Sequence, residues 1–433
     1  MQLVIPKDGP RISHPRLRTH AMLTDLFQDD FPKIYTALVA HFPSKPWLRR
    51  VDSLRHQIKA NPMSEEWLWV VNQVAYGLAE FEARGVQPVD PRAWDSVKHA
   101  MVFAGQVLEI LKGETPDRGR KLIARIDGAI RNPDDMRGLL FELSLATALY
   151  SKGCSIEWMG EDQGKDFGTF DMLVDVPGIG LVEFECKSVS VDKGESIPHK
   201  VALDFINRLM PIVEAEFPFP PCHLFAVSIL MDDAIPTDLA EQTSLADVVG
   251  QAIARADTAL DGVCRLDMQC SGLDRFASEL DEDSLYKLTN DLLGIQPAHQ
   301  VIKTLLGGRY LAIRVWCVVP STLEKRMKHT AKKAIRKQMS TTRPGCLAMC
   351  VERHTGEGLS AMADHQQNML ATVATSLLRN ANHQHLAGVV FVSLPEMTRL
   401  TDTTVTGQSV VYAFDNQVGL YPNFGIQRLF TDK

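Results

Sequence analysis

Apolar residues recur at three- and four-residue spacing in FPKIYTALVAHF, EEWLWVVNQVAYGLAEF and AWDSVKHAMVFAGQVLEILKG, which predicts amphipathic helices over residues 1–130. NPMS, GVQPVDP and GETPDRG carry the Pro and Gly expected of the turns between them. Near residue 131 the pattern changes. RNPDDMRGLLFELSLATALYSKG predicts a helix with Asn132 as N-cap, Pro133 at the first helical position, acids Asp134 and Asp135 in the first turn, and Gly153 at its end. FDMLVDV and LVEFECKSV then read as strands of a hairpin about Pro177-Gly178-Ile179-Gly180. A helix, PHKVALDFINRLMPIVEAEF, and a strand, CHLFAVSIL, complete an αββαβ unit by residue 232.

Residues 233–300 read as a mainly helical connector. Beyond them, strands RYLAIRVWCVV, CLAMCVE, LAGVVFVSL and SVVYAF alternate with helices over 322–339 and 360–378. The expected class is α/β, in four regions: a helical 1–130, a mixed-sheet core at 131–232, the connector at 233–300 and a further α/β region at 301–433.

Hydrophobic residues are 45% and charged residues 23%, values of a folded globular chain. No apolar run is long enough to span a bilayer and the first residues lack a signal-peptide pattern, so a cytoplasmic location without membrane partners is expected. The eight cysteines are scattered, most in apolar runs, and read as buried free thiols; Cys346 and Cys350 share one strand face. A net charge of −7 means that nucleic-acid contact needs a local basic surface. The helix EKRMKHTAKKAIRKQ offers one. Leu323, Met327, Ala331, Ala334 and Gln338 form its inward stripe, turning Lys325, Lys328, Lys332, Lys333 and Arg336 outward. A solvated charged face is the competing account of the same pattern.

Strand parity brings in the chemistry. The even positions Phe170, Met172, Val174 and Val176 of the first strand are apolar, as are Val182, Phe184 and Cys186 of the second, so the even positions make one buried face. Setting Met172 opposite Phe184, Val174 opposite Val182 and Phe170 opposite Cys186 gathers Asp171, Glu185 and Lys187 on the other face, with Asp171 across from Glu185. Two carboxylates that close repel unless a cation lies between them, and Mg²⁺ takes such oxygen ligands together with water and substrate phosphate. Glu142 adds a third acid from the preceding helix, in a stripe with Gly138, Leu145, Ala146 and Leu149, where an unpaired carboxylate is costly.

Glu142 on a helix, Asp171 opening a hairpin and Glu185-Cys186-Lys187 on its second strand resemble the PD-(D/E)XK nuclease superfamily, over about residues 130–232. The resemblance implies a restriction-endonuclease-like αβββαβ core and phosphodiester hydrolysis with Mg²⁺, or Mn²⁺ in its place. By that likeness Asp171 and Glu185 hold the metal, Lys187 serves the attacking water, and Glu142 is an auxiliary ligand. Phe170 stands where the motif has its proline. DNA is the expected substrate, ahead of RNA, in a homodimer or a larger assembly such as a bacterial restriction or antiphage system.

In a chain with 53 acids an acid-x-Lys triplet is weak by itself, and its context carries the signal. Two readings compete: an amphipathic hairpin whose charged face is merely solvated, and a non-catalytic scaffold or nucleic-acid-binding subunit that keeps the fold. Lesser candidates are His199 and Lys200 at a helix start and Lys165 and Asp166 in the loop before Asp171. Asn382-His383-Gln384-His385 reads as a polar turn.

Overall fold

The computed structural model describes residues 18–21, 26–86, 91–159, 170–190, 195–216, 224–271, 281–294, 298–305, 309–319, 322–351, 356–364, 368–393, 396–399, 404–422 and 424–430. The chain begins with β1 (Arg18–Ala21) and β2 (Leu26–Phe27). Seven helices follow: α1 (Phe31–His41), α2 (Pro46–Ala60), α3 (Glu65–Val71), α4 (Gln73–Arg84), α5 (Pro91–Gly113), α6 (Pro116–Arg131) and α7 (Pro133–Ser151). Next come β3 (Ser155–Trp158), β4 (Met172–Val176) and β5 (Gly180–Val189). After them lie α8 (His199–Glu216), β6 (Leu224–Met231), α9 (Leu239–Ala254), β7 (Ala259–Leu260), β8 (Cys264–Ser271), α10 (Glu282–Leu293), β9 (His299–Leu305) and β10 (Arg309–Cys317). The chain closes with α11 (Leu323–Lys337), β11 (Gly345–Val351), α12 (Gly356–Asp364), α13 (Met369–Leu378), β12 (Leu386–Val392), β13 (Glu396–Arg399) and β14 (Thr404–Asp415). The fold is mixed α/β, with two mixed sheets.

Two compact units share these elements: Met1–Leu54, Trp69–Val191 and Glu324–Lys433 form one, Arg55–Leu68 and Asp192–Leu323 the other. In the first, the sheet runs β1-β14-β12-β11-β5-β4-β3, with β13 and β2 also on β14. β3, β4 and β5 form an antiparallel meander, and β11 lies parallel to β5 and to β12. The meander's tight turn needs a residue with positive φ, supplied by Gly178 (φ 74°), and Ile179 N–H closes it on Val176 O at 3.0 Å. Met172, Val174, Val182, Phe184, Cys186, Cys346 and Ala348 pack with Phe141, Leu145, Ala146 and Leu149 of α7. The other side of α7 buries Met136, Leu139 and Leu143 among the N-terminal helices. A helix enclosed on two sides is apolar nearly all round, as α7 is.

Asn132 caps α7 as its sequence predicts, its side chain accepting from Asp134 N at 3.2 Å. Phe184 is completely buried, so Phe184→Ala is expected to cost about 3–5 kcal/mol. Thermal unfolding checks this; a shift of a degree or less would contradict the assigned core.

The second unit has the sheet order β7-β8-β6-β10-β9. Odd positions of its central strands, such as Phe225, Val227, Leu311 and Ile313, face α8 and α9, while Leu224, Ala226 and Ala312 pack with Leu285 of α10.

Several sequence expectations change here. The 1–130 region is not wholly helical, because β1 and β2 pair with β14 at the far end of the chain. The helix expected through EEWLWVVNQVAYGLAEF breaks at Asn72, and the one expected over 360–378 is two helices, α12 and α13. SIEW adds a strand to the hairpin. The 131–232 core is redrawn: α8 and β6 belong to the second sheet, and the parallel neighbour of β5 is β11, reached through α11. A helix followed by a strand looks alike in either sheet, and pairing over more than a hundred residues leaves no local trace. The 233–300 segment contains β7, β8 and the start of β9, and 301–433 divides between the two units.

Among the described residues no helix is long and apolar enough to cross a membrane. The described cysteines are free. Cys154, Cys186, Cys264, Cys346 and Cys350 are buried, Cys270 is exposed and Cys317 half-buried; Cys222 lies outside the described residues.

Candidate active site

β5 continues past the end of β4, and the charged groups collect at that step. The register is Met172 opposite Phe184 and Val174 opposite Val182, the pairing that the apolar pattern predicts. Asp171 departs from it. Its N–H donates to Phe184 O at 3.1 Å, and its Oδ2 accepts the Cys186 N–H at 2.7 Å. Once β4 has ended, the Cys186 amide needs another acceptor, and a short carboxylate at the strand's margin supplies it. Asp171 therefore sits at the end of the ladder, not across from Glu185 within it. Phe170, expected opposite Cys186, is buried outside the ladder.

Glu185 is fully buried on the odd face of β5, beside Leu347 of β11. The Lys187 ammonium forms an ion pair with its Oε1, and the Lys187 side chain remains 26% exposed. That approach lacks hydrogen-bond geometry, so both Glu185 oxygens are buried without a hydrogen bond. Glu142, 5% exposed, has a partner that sequence reasoning does not find: Arg125 Nη2 donates to its Oε1 at 2.6 Å. Glu142 Oε2 is left buried with no partner. A signal did exist. Residues 125 and 142 lie on the two helices that meet at Asn132, and consecutive helices joined by a short turn commonly pack together.

The acids act on one another. Burial and then the charge of Asp171 raise Glu142 to about 7, against the pull of Arg125. Burial and Asp171 likewise raise Glu185 to about 8, against Lys187. Burial also raises Asp171, opposed by Lys187, the Cys186 amide and Arg125. Burial alone would lower the Lys187 pKa, but Glu185 and Asp171 push it above its ordinary value; Arg125 is raised against burial by Glu142 and Asp171 in the same way. Cys186, enclosed among these acids, is held well up as a neutral thiol by burial. The electrostatics therefore tie Glu142, Asp171, Glu185, Lys187 and Arg125 into one group.

The fit to a metal rests on Glu142 Oε2 and Glu185 Oε2, which are buried with no hydrogen bond or ion pair, beside Glu185 Oε1, which has only the Lys187 ammonium. Desolvated acceptors are costly to leave unfilled, and a hard cation would satisfy them. Among the described residues no group of three or more His, Cys, Asp or Glu side chains is disposed to hold an ion by itself. An ion here would thus take one or two carboxylates and complete its shell with water and substrate phosphate, the usual habit of Mg²⁺. Because protons compete for the same oxygens, Mg²⁺ is expected to raise the melting temperature more at about pH 8 than at about pH 6. An equal rise at both would count against these carboxylates as ligands.

Glu183, also fully buried, has a structural part. It accepts from Ser340 N at 2.8 Å, from the Ser340 hydroxyl and from Arg343, pinning the loop that leaves α11. On α11 the buried stripe is Leu323, Met327, Ala331, Ala334 and Ile335, with Gln338 half-buried. Lys325, Lys333 and Arg336 are exposed as expected; Lys328 and Lys332 are half-buried, and Lys328 pairs with Glu324. Arg326, His329 and Lys337 are exposed or half-exposed beside them, extending the basic face.

The lesser candidates stay apart. His199 bonds His299, Nδ1 to Nδ1, at 3.0 Å in the second unit, and Lys200 pairs with Asp204. Lys165 and Asp166 lie outside the described residues. The turn containing Asn382 and Gln384 forms, but His383 and His385 are buried in it, and burial lowers both pKa values. No protein-family model, curated protein or solved structure matches the chain.

Proposed function

We propose that the first unit carries a divalent-metal-dependent phosphodiesterase site acting on nucleic acid, DNA ahead of RNA, with Asp171, Glu185, Lys187 and Glu142 as its working residues. The observation that carries the reading is the buried group of three acids and one lysine at a strand end, with Glu142 Oε2 and Glu185 Oε2 buried and unpartnered and Glu185 Oε1 held by the Lys187 ammonium alone. The order α7-β3-β4-β5-α11-β11 supports it, being the αβββαβ sequence of a restriction-endonuclease-like core with the larger part of the second unit, Asp192–Leu323, inserted after β5. Defence against foreign DNA is the setting such a site would serve.

When bound, the ion would polarise the phosphoryl group and acidify a water. Asp171 is held for this by the Cys186 amide, and Glu185 by its burial against β11. Lys187, paired with Glu185 and partly exposed, orients the water and offsets phosphate charge. Arg125 fixes Glu142 and, with a side chain 48% exposed, presents the rest of its guanidinium to a phosphate. The basic face of α11 contributes the sequence-independent attraction.

Incubation of the protein with plasmid DNA, and separately with RNA, in Mg²⁺, Mn²⁺ or EDTA tests the reading; intact substrates under every metal condition would refute it. A charge-reversed Lys325→Glu, Lys333→Glu, Arg336→Glu variant is expected to weaken DNA binding and to flatten its dependence on salt by about one unit of slope for each cation removed from a phosphate. Unchanged salt dependence would remove α11 from the interface. A non-catalytic nucleic-acid-binding subunit is the second reading. It is favoured by the acids being neutralised within the chain, Glu142 by Arg125 and Glu185 by Lys187. DNA binding without cleavage would decide for it.

A further inference from the structure

We infer that the cavity between the start of α2 and the end of α6 is a binding pocket for a phosphomonoester group. It has a volume of about 380 Å³ and is lined by Ser44, Pro46, Arg49, Arg50, Ser53 and Arg131. Pro46, Arg49, Arg50 and Ser53 fall at the spacing of one helix face; Pro46 is buried at its start, Arg49 and Ser53 are exposed and Arg50 is half-buried, while Trp47, Val51 and Leu54 on the other face are buried. The pocket side of α2 is thus able to take a ligand without disturbing the core.

Its charge arrangement calls for an anion. The first turn of α2 holds no acid, and the positive end of the helix dipole adds to the two arginines that follow. Arg50 Nε donates to Asn72 Oδ1 at 2.8 Å, a neutral partner, and among the described residues no acid pairs with Arg49 or Arg50. Arg131, from the last turn of α6, pairs with Asp127, which is not part of the lining. Three guanidinium groups therefore face one space with a single acid among their partners. A dianion with three acceptor oxygens offsets that repulsion and suits the guanidinium fork, and Ser44 and Ser53 add hydroxyl donors. The volume lies in the range of small-molecule pockets and exceeds that of a bare phosphate, which leaves room for an organic body beside the phosphate. A mononucleotide and the phosphorylated end of a nucleic-acid strand share this chemistry.

Isothermal titration of the full chain in EDTA, which silences any metal site, tests the pocket. Inorganic phosphate and AMP are expected to bind, and adenosine not. Arg49→Gln, at a side chain with no acid partner among the described residues, should weaken AMP binding roughly tenfold or more, and Arg49→Gln with Arg50→Gln should abolish it. The melting temperature of ligand-free Arg49→Gln checks that the fold is kept. A 5′-phosphorylated oligonucleotide that binds more tightly than both its 5′-hydroxyl form and AMP supports the pocket and identifies a strand end as the source. Tighter AMP supports it and identifies a free nucleotide. Absence of phosphate and AMP binding, or affinities unchanged in both variants, would overturn it.

Discussion

Lys187→Ala is expected to lower the rate of metal-dependent plasmid cleavage by roughly a hundred- to a thousandfold while the protein stays folded. Like Arg125 on Glu142, the ammonium is paired to a buried acid and still open to solvent, so it can meet a phosphate without leaving Glu185. Its loss removes a positive charge where negative charge builds up on the phosphoryl oxygens. Folding should survive, because Glu185 already sits near 8 and takes up a proton once its counter-charge is gone. Lys187→Arg separates charge from geometry: it keeps the cation but not a compact, movable ammonium, and should recover DNA binding more than rate. Cleavage by Lys187→Ala at the wild-type rate, in matched preparations with equal melting temperatures, would exclude Lys187 from the chemistry.

How much of this can be read in the sequence depends on the range of the interaction. The hairpin is legible because apolar alternation has a period of two, and one register alone buries Met172, Val174, Val182 and Phe184 together. The Asn132 cap and the start of α7 are legible for the same reason, being decided within a few residues. The bend at Asp171 is not. It arises because β4 stops before β5 does, and strand ends depend on neighbours that alternation does not encode. Arg125 reads as an ordinary charged residue on an amphipathic helix; only the α6–α7 pairing makes it the partner of Glu142. Sequence proximity assigns α8 and β6 to the core, yet the parallel partner of β5 lies at Gly345–Val351, beyond the whole second unit. Local chemistry is readable; the connectivity around the inserted unit is not.

Glu185→Leu should separate a site held ready for a ligand from a structural ion pair, because the two readings predict opposite signs. Both Glu185 oxygens are buried without hydrogen bonds, and on β11 its register partner Leu347 and the partner of Lys187, Met349, are fully buried apolar groups. A leucine of similar volume removes a desolvated carboxylate from apolar surroundings, while Lys187, 26% exposed, extends to water. Replacing buried ion pairs by apolar groups has stabilised other proteins by about 1–4 kcal/mol, and a gain in that range is expected here together with loss of cleavage. The pH dependence fixes the assignment. Glu185 is raised from 4.5 to about 8 in the folded protein, so between those values the folded state holds a proton that the unfolded state releases. Its contribution to wild-type stability is present below the unfolded value and is lost as pH rises through the folded one. The leucine does not titrate, so the variant's advantage should be small at about pH 5 and greatest above about pH 8. Other titrating groups, such as the half-buried His99, lowered by desolvation to about 4, shift both proteins alike and cancel in the difference. Melting temperatures of the two proteins across this range, in EDTA, give the measurement. A variant less stable than wild type at every pH would mean that the Glu185–Lys187 pair braces the fold, and the case for a ligand site on β5 would fall with it.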